Sequence, residues 1–493
     1  MQHCSYDWHQ SIAIHFQGIK PFFMLNYAYT SVNYRPSMLV ELLSRIQFGF
    51  SIGFHILFPT LNLGLAVFLV IMEAAWLKTK NPIYLEICKL WTKIFALTFG
   101  MGVVSGIVLA YQIGTNFGPF ITQFGNVLGA LFAYETLTAF FLEAGFLGVM
   151  LFGWKKVPPP LHFIATLLVT IGTTVSAFWI MSANSWMQAP SGYQLVDGKY
   201  IVDSWWAVVF NPTFIPRFIH MLLASYVTTC FVVMAVSGYY LLKDKFKATA
   251  KITLTFSLWA ALILVPLQIG VGDVVGINVH HYQPLKTAAM EGVWQTQKGA
   301  PLVLFALPSQ EEQKNFYELS IPKLASFINT HEWDGELVGL SSVPPADQPR
   351  MLPVFLTFRI MVGIGILMLI TAIVGIYLRF KGTLFQSPWF YKWIFAMAPA
   401  GFIASIAGWL TAEIGRQPWV VYSLLKTKDA VSSIGYEEVL ISFILLIVVY
   451  GIVFGFYLYY LFKLIAHGPD KLKEDDIEYH AFQYMTDIPE EKK

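Results

Sequence analysis

Apolar stretches long enough to cross a bilayer recur about nine times along the chain. They cover residues 46–72, 90–114, 125–153, 161–185, 214–242, 253–274, 352–380, 390–414 and 438–466. Backbone polar groups in lipid must be satisfied within each segment, so these stretches predict helices. The expected fold is an all-α integral membrane protein with about nine transmembrane helices. No internal repeat points to the pseudo-symmetric halves of many transporters. Residues 38–274 hold the first six expected helices and residues 352–466 the last three. Between them, residues 275–351 form a long polar loop, and a loop of that length usually has a function. Residues 467–493 form a polar tail.

Basic residues set the orientation of the segments. Lys78, Lys80, Lys89 and Lys93 follow the first expected helix, and Lys155 and Lys156 the third. Lys243, Lys245, Lys247 and Lys251 follow the fifth, and Arg379, Lys381 and Lys392 the seventh. Lys463, Lys471 and Lys473 mark the tail. The alternate connections are poorer: "TNFGPFITQ" has no basic residue. The expected N-terminus is therefore outside, the C-terminus cytoplasmic and the long loop external. Residues 1–37 carry His3, His9, His15, Lys20 and Arg35 without a sustained apolar core, so they do not read as a signal peptide. They are an N-terminal extension, expected to be absent from the mature protein, and Met38 reads as a natural start.

Composition agrees with the pattern. Hydrophobic residues make up 56% of the chain, aromatic residues 16% and charged residues 13%. Mean hydropathy is +0.58, which excludes a soluble protein of this length. A net charge of +2 gives no reason to expect a nucleic-acid partner. Cys4, Cys88 and Cys230 are too scattered for a disulfide framework or a zinc site.

Ionisable residues are few within the apolar stretches, and those singled out are His55, Glu135, Glu143, His220, Arg359 and Glu413. Each costs about 2.5–3.5 kcal/mol on insertion scales, so each is a functional candidate. Met361 joins them because a thioether can ligate haem iron. At about 1.5 Å per residue, His55, His220, Met361 and Glu413 all fall in the outer half of the membrane. Glu135 falls near the middle, with Glu143 about 12 Å farther toward the cytoplasm and on a broad shared face. Membrane carboxylates in series often relay protons. Redox groups outside and carboxylates leading from inside is the division of labour this predicts. His280 and His281 are expected in the external loop, and Asp273 at the end of the sixth helix. Glu413 and Arg416, three apart in "TAEIGRQPW", are expected on one helix face.

Seven stretches, in order, resemble subunit I of the cytochrome bd family of quinol oxidases. They are "SRIQFGFSIGFHILF", "AYETLTAFFLEAGFLGVMLFGW", "SANSWMQ", "FIHMLLASYVT", "LKTAAMEGVWQTQ", "FRIMVG" and "GWLTAEIGRQPW". The resemblance runs from about Met38 to Ala466. It implies a terminal oxidase of the bacterial inner membrane that oxidises quinol, reduces oxygen to water and builds a proton motive force without pumping. It implies two b-type haems, one low-spin and one high-spin, and haem d or a further b-type haem in its place. By position, His220 and Met361 would be the axial pair of the low-spin haem, with Arg359 nearby. His55 and Glu413 would each hold a high-spin haem, His55 being favoured for haem d. Glu135 and Glu143 match proton-route carboxylates, and Lys286 and Glu291 match loop residues tied to quinol oxidation. Arg416 would neutralise Glu413 or a haem propionate, and Trp409 would pack on a macrocycle. Arg359 and Met361, about 200° apart on a helix, cannot both face one haem. The resemblance also implies a second large membrane subunit and often a single-span peptide.

The external loop lacks the long insertion of long-loop members, so the chain looks like the short-loop class, with the cyanide-insensitive oxidases as a candidate branch. Two other functions compete. One is a different membrane haem electron carrier, which would need paired histidines on two helices. The other is a proton-coupled transporter using Glu135 and Glu143, which would be colourless.

Overall fold

The computed structural model describes residues 36–470. Residues 1–35 and 471–493, and with them most of the expected N-terminal extension and tail, lie outside the described residues. Among the described residues, nine helices are long and apolar enough to cross a membrane. They are α1 (Pro36–Thr79), α2 (Pro82–Asn116), α3 (Gly118–Phe152), α4 (Pro159–Gln188), α5 (Phe214–Leu242), α6 (Lys247–Tyr282), α7 (Met351–Phe380), α8 (Pro388–Ile414) and α9 (Tyr436–His467). Local chemistry sets several ends. Asn81 caps α2 by accepting from the Ile83 N–H at 3.0 Å, and Pro82 follows at the first helical position. Helix α8 is interrupted between Ala396 and Ala400, where Pro399 removes a backbone donor.

Helix α1 is central and packs against α2, α4, α5 and α9. Its Gly64 allows close approach to α5, since a Cβ there would fall 2.1 Å from Thr229 Oγ1. Small residues play this part in membrane bundles, where close packing replaces the hydrophobic effect between helices. Phe58, Leu65, Leu69, Trp91, Phe95 and Phe231 fill the interior and are fully buried. Helices α5 and α7 both pack on α6 and α8, but not extensively on each other.

Helix α3 contains a π-turn, Thr136–Phe140, lying between Glu135 and Glu143. A π-turn winds less per residue than an α-turn. The eight-residue offset between the carboxylates is thereby brought closer to whole turns than a regular helix gives. Single π-turns recur at functional sites.

Several helices run past their expected ends. Helix α6 continues to Tyr282, so His280 and His281 lie in its last turn and not in the loop. Asp273 is inside α6 and bonds His331 Nε2 at 3.1 Å. The loop beyond is folded. It holds a short helix, Pro284–Glu291, and an antiparallel hairpin of Leu302–Ser309 with Lys314–Ile321. Gln297–Lys298 pairs with Glu336–Leu337 and closes its base. Such small two-stranded sheets, all outside the membrane helices, are the departure from a purely helical chain.

Candidate metal centres

The stretch "SANSWMQ" ends α4 and organises the site around Glu413. Asn184 and Gln188, one turn apart, both reach the Glu413 carboxylate. Asn184 Nδ2 donates to Glu413 Oε1 at 3.0 Å and Gln188 Nε2 at 3.3 Å. Their oxygens accept from cations: Asn184 Oδ1 from Arg217 Nη2 at 2.6 Å, and Gln188 Oε1 from Lys286 Nζ at 2.6 Å. Arg416 lies just beyond the end of α8, not on it, and its Nη2 pairs with Glu413 Oε2. Three cations thus surround one carboxylate. Arg416 Nε and Nη1 are buried with no hydrogen-bond partner. Unpaired guanidinium donors in a buried, positive site fit an anionic group such as a carboxylate.

Lys286 is only 4% exposed, on the short helix below the loop. Burial lowers its pKa well below the usual lysine value, Arg217 and Arg416 push the same way, and Glu413 opposes them. Gly415 leaves room for its stem, because a Cβ there would lie 2.7 Å from Lys286 Cγ.

His55 sits against α2. Its Nδ1 is 2.9 Å from Ser105 Oγ, and that hydroxyl donates to Met101 O at 2.7 Å. With its hydrogen committed, Ser105 accepts, so Nδ1 carries the ring proton and Nε2 keeps a free lone pair. That is the tautomer a metal ligand needs. Gly106 faces the ring, and a Cβ there would come within 3.1 Å of Cε1.

His220 of α5 and Met361 of α7 repeat the arrangement. Gln268 Nε2 lies 3.2 Å from His220 Nε2, whereas His220 Nδ1 is buried without a partner. A Cβ on Gly272 would stand 3.3 Å from His220 Cε1, and one on Gly408 only 2.8 Å from Met361 Sδ. His55, His220 and Met361 therefore each face a glycine on a neighbouring helix.

Arg359 turns away from Met361, as their spacing predicts. Its Nη2 pairs with Glu291 Oε2 at 2.9 Å, and its Nε donates to Val303 O at 2.7 Å. Glu291 also accepts from Asn329 Nδ2 at 3.3 Å and is 2% exposed. The loop is fastened to α7 through this carboxylate. Glu135 Oε1 accepts from Ser176 Oγ at 2.8 Å, and Glu143 is buried against Gly172 of α4. Trp409 is half-buried on α8, one turn before Glu413.

The donor set fits haem. Among the described residues no three His, Cys, Asp or Glu side chains converge on a point. A bare transition metal needs several protein donors, but iron carried by a macrocycle needs only one or two. Two imidazoles, a thioether and a carboxylate, each alone on its helix and most with glycine clearance, meet that need. Sequence reasoning missed Ser105, Asn184, Gln188 and Arg217. The i, i+4 amides within "SANSWMQ" were the available signal.

Residues 43–469 match the family described as cytochrome bd terminal oxidase subunit I. The chain is 32% identical over 465 residues to cytochrome bd ubiquinol oxidase subunit 1 of Bacillus subtilis (strain 168), covering 90% of this chain and 98% of that protein. It is 30% identical to cytochrome bd-II ubiquinol oxidase subunit 1 of Escherichia coli (strain K12), with 88% and 98% covered. Its fold is similar to the solved bd oxidase of Geobacillus thermodenitrificans, with a TM-score of 0.82, 27% identity, and 88% of this chain and 100% of that chain covered.

Proposed function

The chain belongs to the cytochrome bd terminal oxidase subunit I family, and from that premise we propose how its residues serve a membrane quinol oxidase that reduces oxygen to water. The observation that carries the reading is the set of lone ligands, His55, His220 and Met361, each opposite a glycine. His220 and Met361 would hold a low-spin haem b, which would serve electron transfer and not oxygen binding. His55 and Glu413 would each hold a high-spin haem, one of them b-type and the other haem d or a further haem b. Bound there, haem supplies the electron transfer and the reduction of oxygen. Asn184 and Gln188 orient the Glu413 carboxylate, and Arg416 offers its two free donors to a propionate. The site is bounded by Lys286 and by Arg217, whose positive charge offsets buried anions.

Quinol is oxidised at the base of the external loop. Glu291, held by Arg359 and Asn329, is the buried carboxylate best placed to take a quinol proton. Lys286 links this region to the Glu413 cluster through Gln188. The basic connections support an external loop, an external N-terminus and a cytoplasmic C-terminus. Glu143 and then Glu135 carry protons inward from the cytoplasm. Each electron passed to oxygen then separates one charge without a pump, against about 2.3 kcal/mol per 100 mV. The relatives are named as subunit 1, which supports a second large membrane subunit; a single-span peptide is a further partner. The exposed apolar flank of α9, with Ile444, Val448 and Ile452, suits lipid or such a subunit.

Purified complex in proteoliposomes tests the reading. Quinol should drive oxygen uptake together with a membrane potential. A colourless preparation, or one that takes up no oxygen with quinol, would overturn it.

A further inference from the structure

Between α1, α3 and α4, at the ends that face the cytoplasm, lies a buried polar pair with no part in the scheme above. Glu73 and His162 are each 1% exposed. Glu73 falls one residue past the stretch 46–72 and His162 is the second residue of the stretch 161–185, so both sit at expected boundaries. His162 Nδ1 is 2.6 Å from Glu73 Oε1, and His162 Nε2 is 3.1 Å from Met150 O. The carbonyl can only accept, so Nε2 carries a hydrogen. The short Nδ1–carboxyl contact then needs a hydrogen of its own, on either atom. The pair therefore holds one proton more than a carboxylate beside a neutral imidazole. Trp154 covers the imidazole, with ring centroids 3.8 Å apart.

A stripe of hydroxyls leaves this pair. Thr166 Oγ1 donates to Glu73 Oε2 at 2.7 Å. Thr170, Thr173 and Ser176 continue along α4 in steps of four, three and three residues, which is one helix face. Thr166, Thr170 and Thr173 are buried, and Ser176 donates to Glu135. Glu143 packs on α4 between Thr170 and Thr173 in sequence, where a Cβ on Gly172 would lie 2.7 Å from its Cγ. From His162 to Ser176 the stripe rises about 21 Å. A run of buried hydroxyls joining three acidic side chains costs packing in a membrane helix, and a mere staple between α1 and α4 would need only its first member.

We propose that the Glu73–His162 pair is the cytoplasmic loading site for protons, and that the α4 hydroxyl stripe passes them to Glu143. The inference rests on the carboxylate route and orientation proposed above. The extra proton leaves the pair toward Thr166 and is replaced from the cytoplasm; no other bond changes. Hydroxyls three or four residues apart stand about 5–6 Å from one another, so a water bridges each step. It takes the proton from one hydroxyl and gives it to the next, each hydroxyl first rotating away from its helix carbonyl, as Thr170 must from Thr166 O at 2.8 Å.

The test follows voltage generation when oxygen is given to the fully reduced oxidase complex in proteoliposomes, with haem spectra as the check on assembly. Glu73→Gln and the near-isosteric Thr166→Val should keep the parent spectra and electron entry from quinol, yet slow the voltage phase at least tenfold. Glu73→Asp should restore most of the rate. Glu143→Gln is the control for the underlying route. Thr166→Val at the parent rate overturns the loading site, whatever Glu73→Gln does, and it decides the matter alone where Glu73→Gln fails to assemble. If Glu143→Gln is slow in that case, the carboxylate route survives without this entrance. If Glu143→Gln is also at the parent rate, both fall.

Discussion

Asn184 stands between Arg217 and Glu413, accepting from the guanidinium at 2.6 Å and donating to the carboxylate at 3.0 Å. One amide thus fixes a cation and an anion that lie on different helices. Hydrogen bonds to charged groups are worth about 1.5–3 kcal/mol each, and more is lost when a buried partner is stranded. Asn184→Leu should therefore deplete the haem held by Glu413 and leave the low-spin haem signal intact. Equal loss of all haem signals would show that Asn184 supports the bundle and not that one site.

The low-spin pair makes a sharper claim. His220→Ala and Met361→Leu should each abolish the low-spin haem spectrum while the high-spin signals persist. Gly408→Val should act like Met361→Leu, since even a Cβ at 408 would stand 2.8 Å from Met361 Sδ. Low-spin signal surviving in both ligand variants would refute the assignment.

Glu291 is a functional carboxylate in this account and also the partner of Arg359. Glu291→Ala should reduce quinol-driven turnover about tenfold or more, with all haem spectra unchanged and activity with artificial reductants retained. Parent turnover with quinol would remove the loop base from the substrate site.

Glu143→Gln keeps the shape of the side chain and removes its titrating proton. Oxygen turnover and the rise of membrane potential should fall together. A variant that builds potential at the parent rate rules the carboxylate out of the proton path.

Much of this was legible in the sequence, unevenly so. Helix α5 was expected over 214–242 and spans Phe214–Leu242. Helix α1 was expected over 46–72 but runs Pro36–Thr79, because polar residues end a hydropathy segment without ending the i→i−4 hydrogen bonding. That same shortfall hid Glu73 and His162, each within a residue of an expected boundary. The pairing of Arg217 with Asn184 had no local signal, since only the packing of α4 on α5 brings them together. Arg359 could be turned away from Met361 by angle alone, but its partner Glu291 needed the folded loop. The π-turn of α3 was invisible, since "TLTAF" differs little from its helical surroundings.

The account stands on haem held by one or two protein ligands at separate sites. The most direct measurement is a reduced-minus-oxidised spectrum of the purified complex, with pyridine haemochrome analysis of the same sample. The account predicts one low-spin haem b together with two high-spin haems, at least one of them b-type. A spectrum with no haem, or with low-spin haem alone, would contradict it.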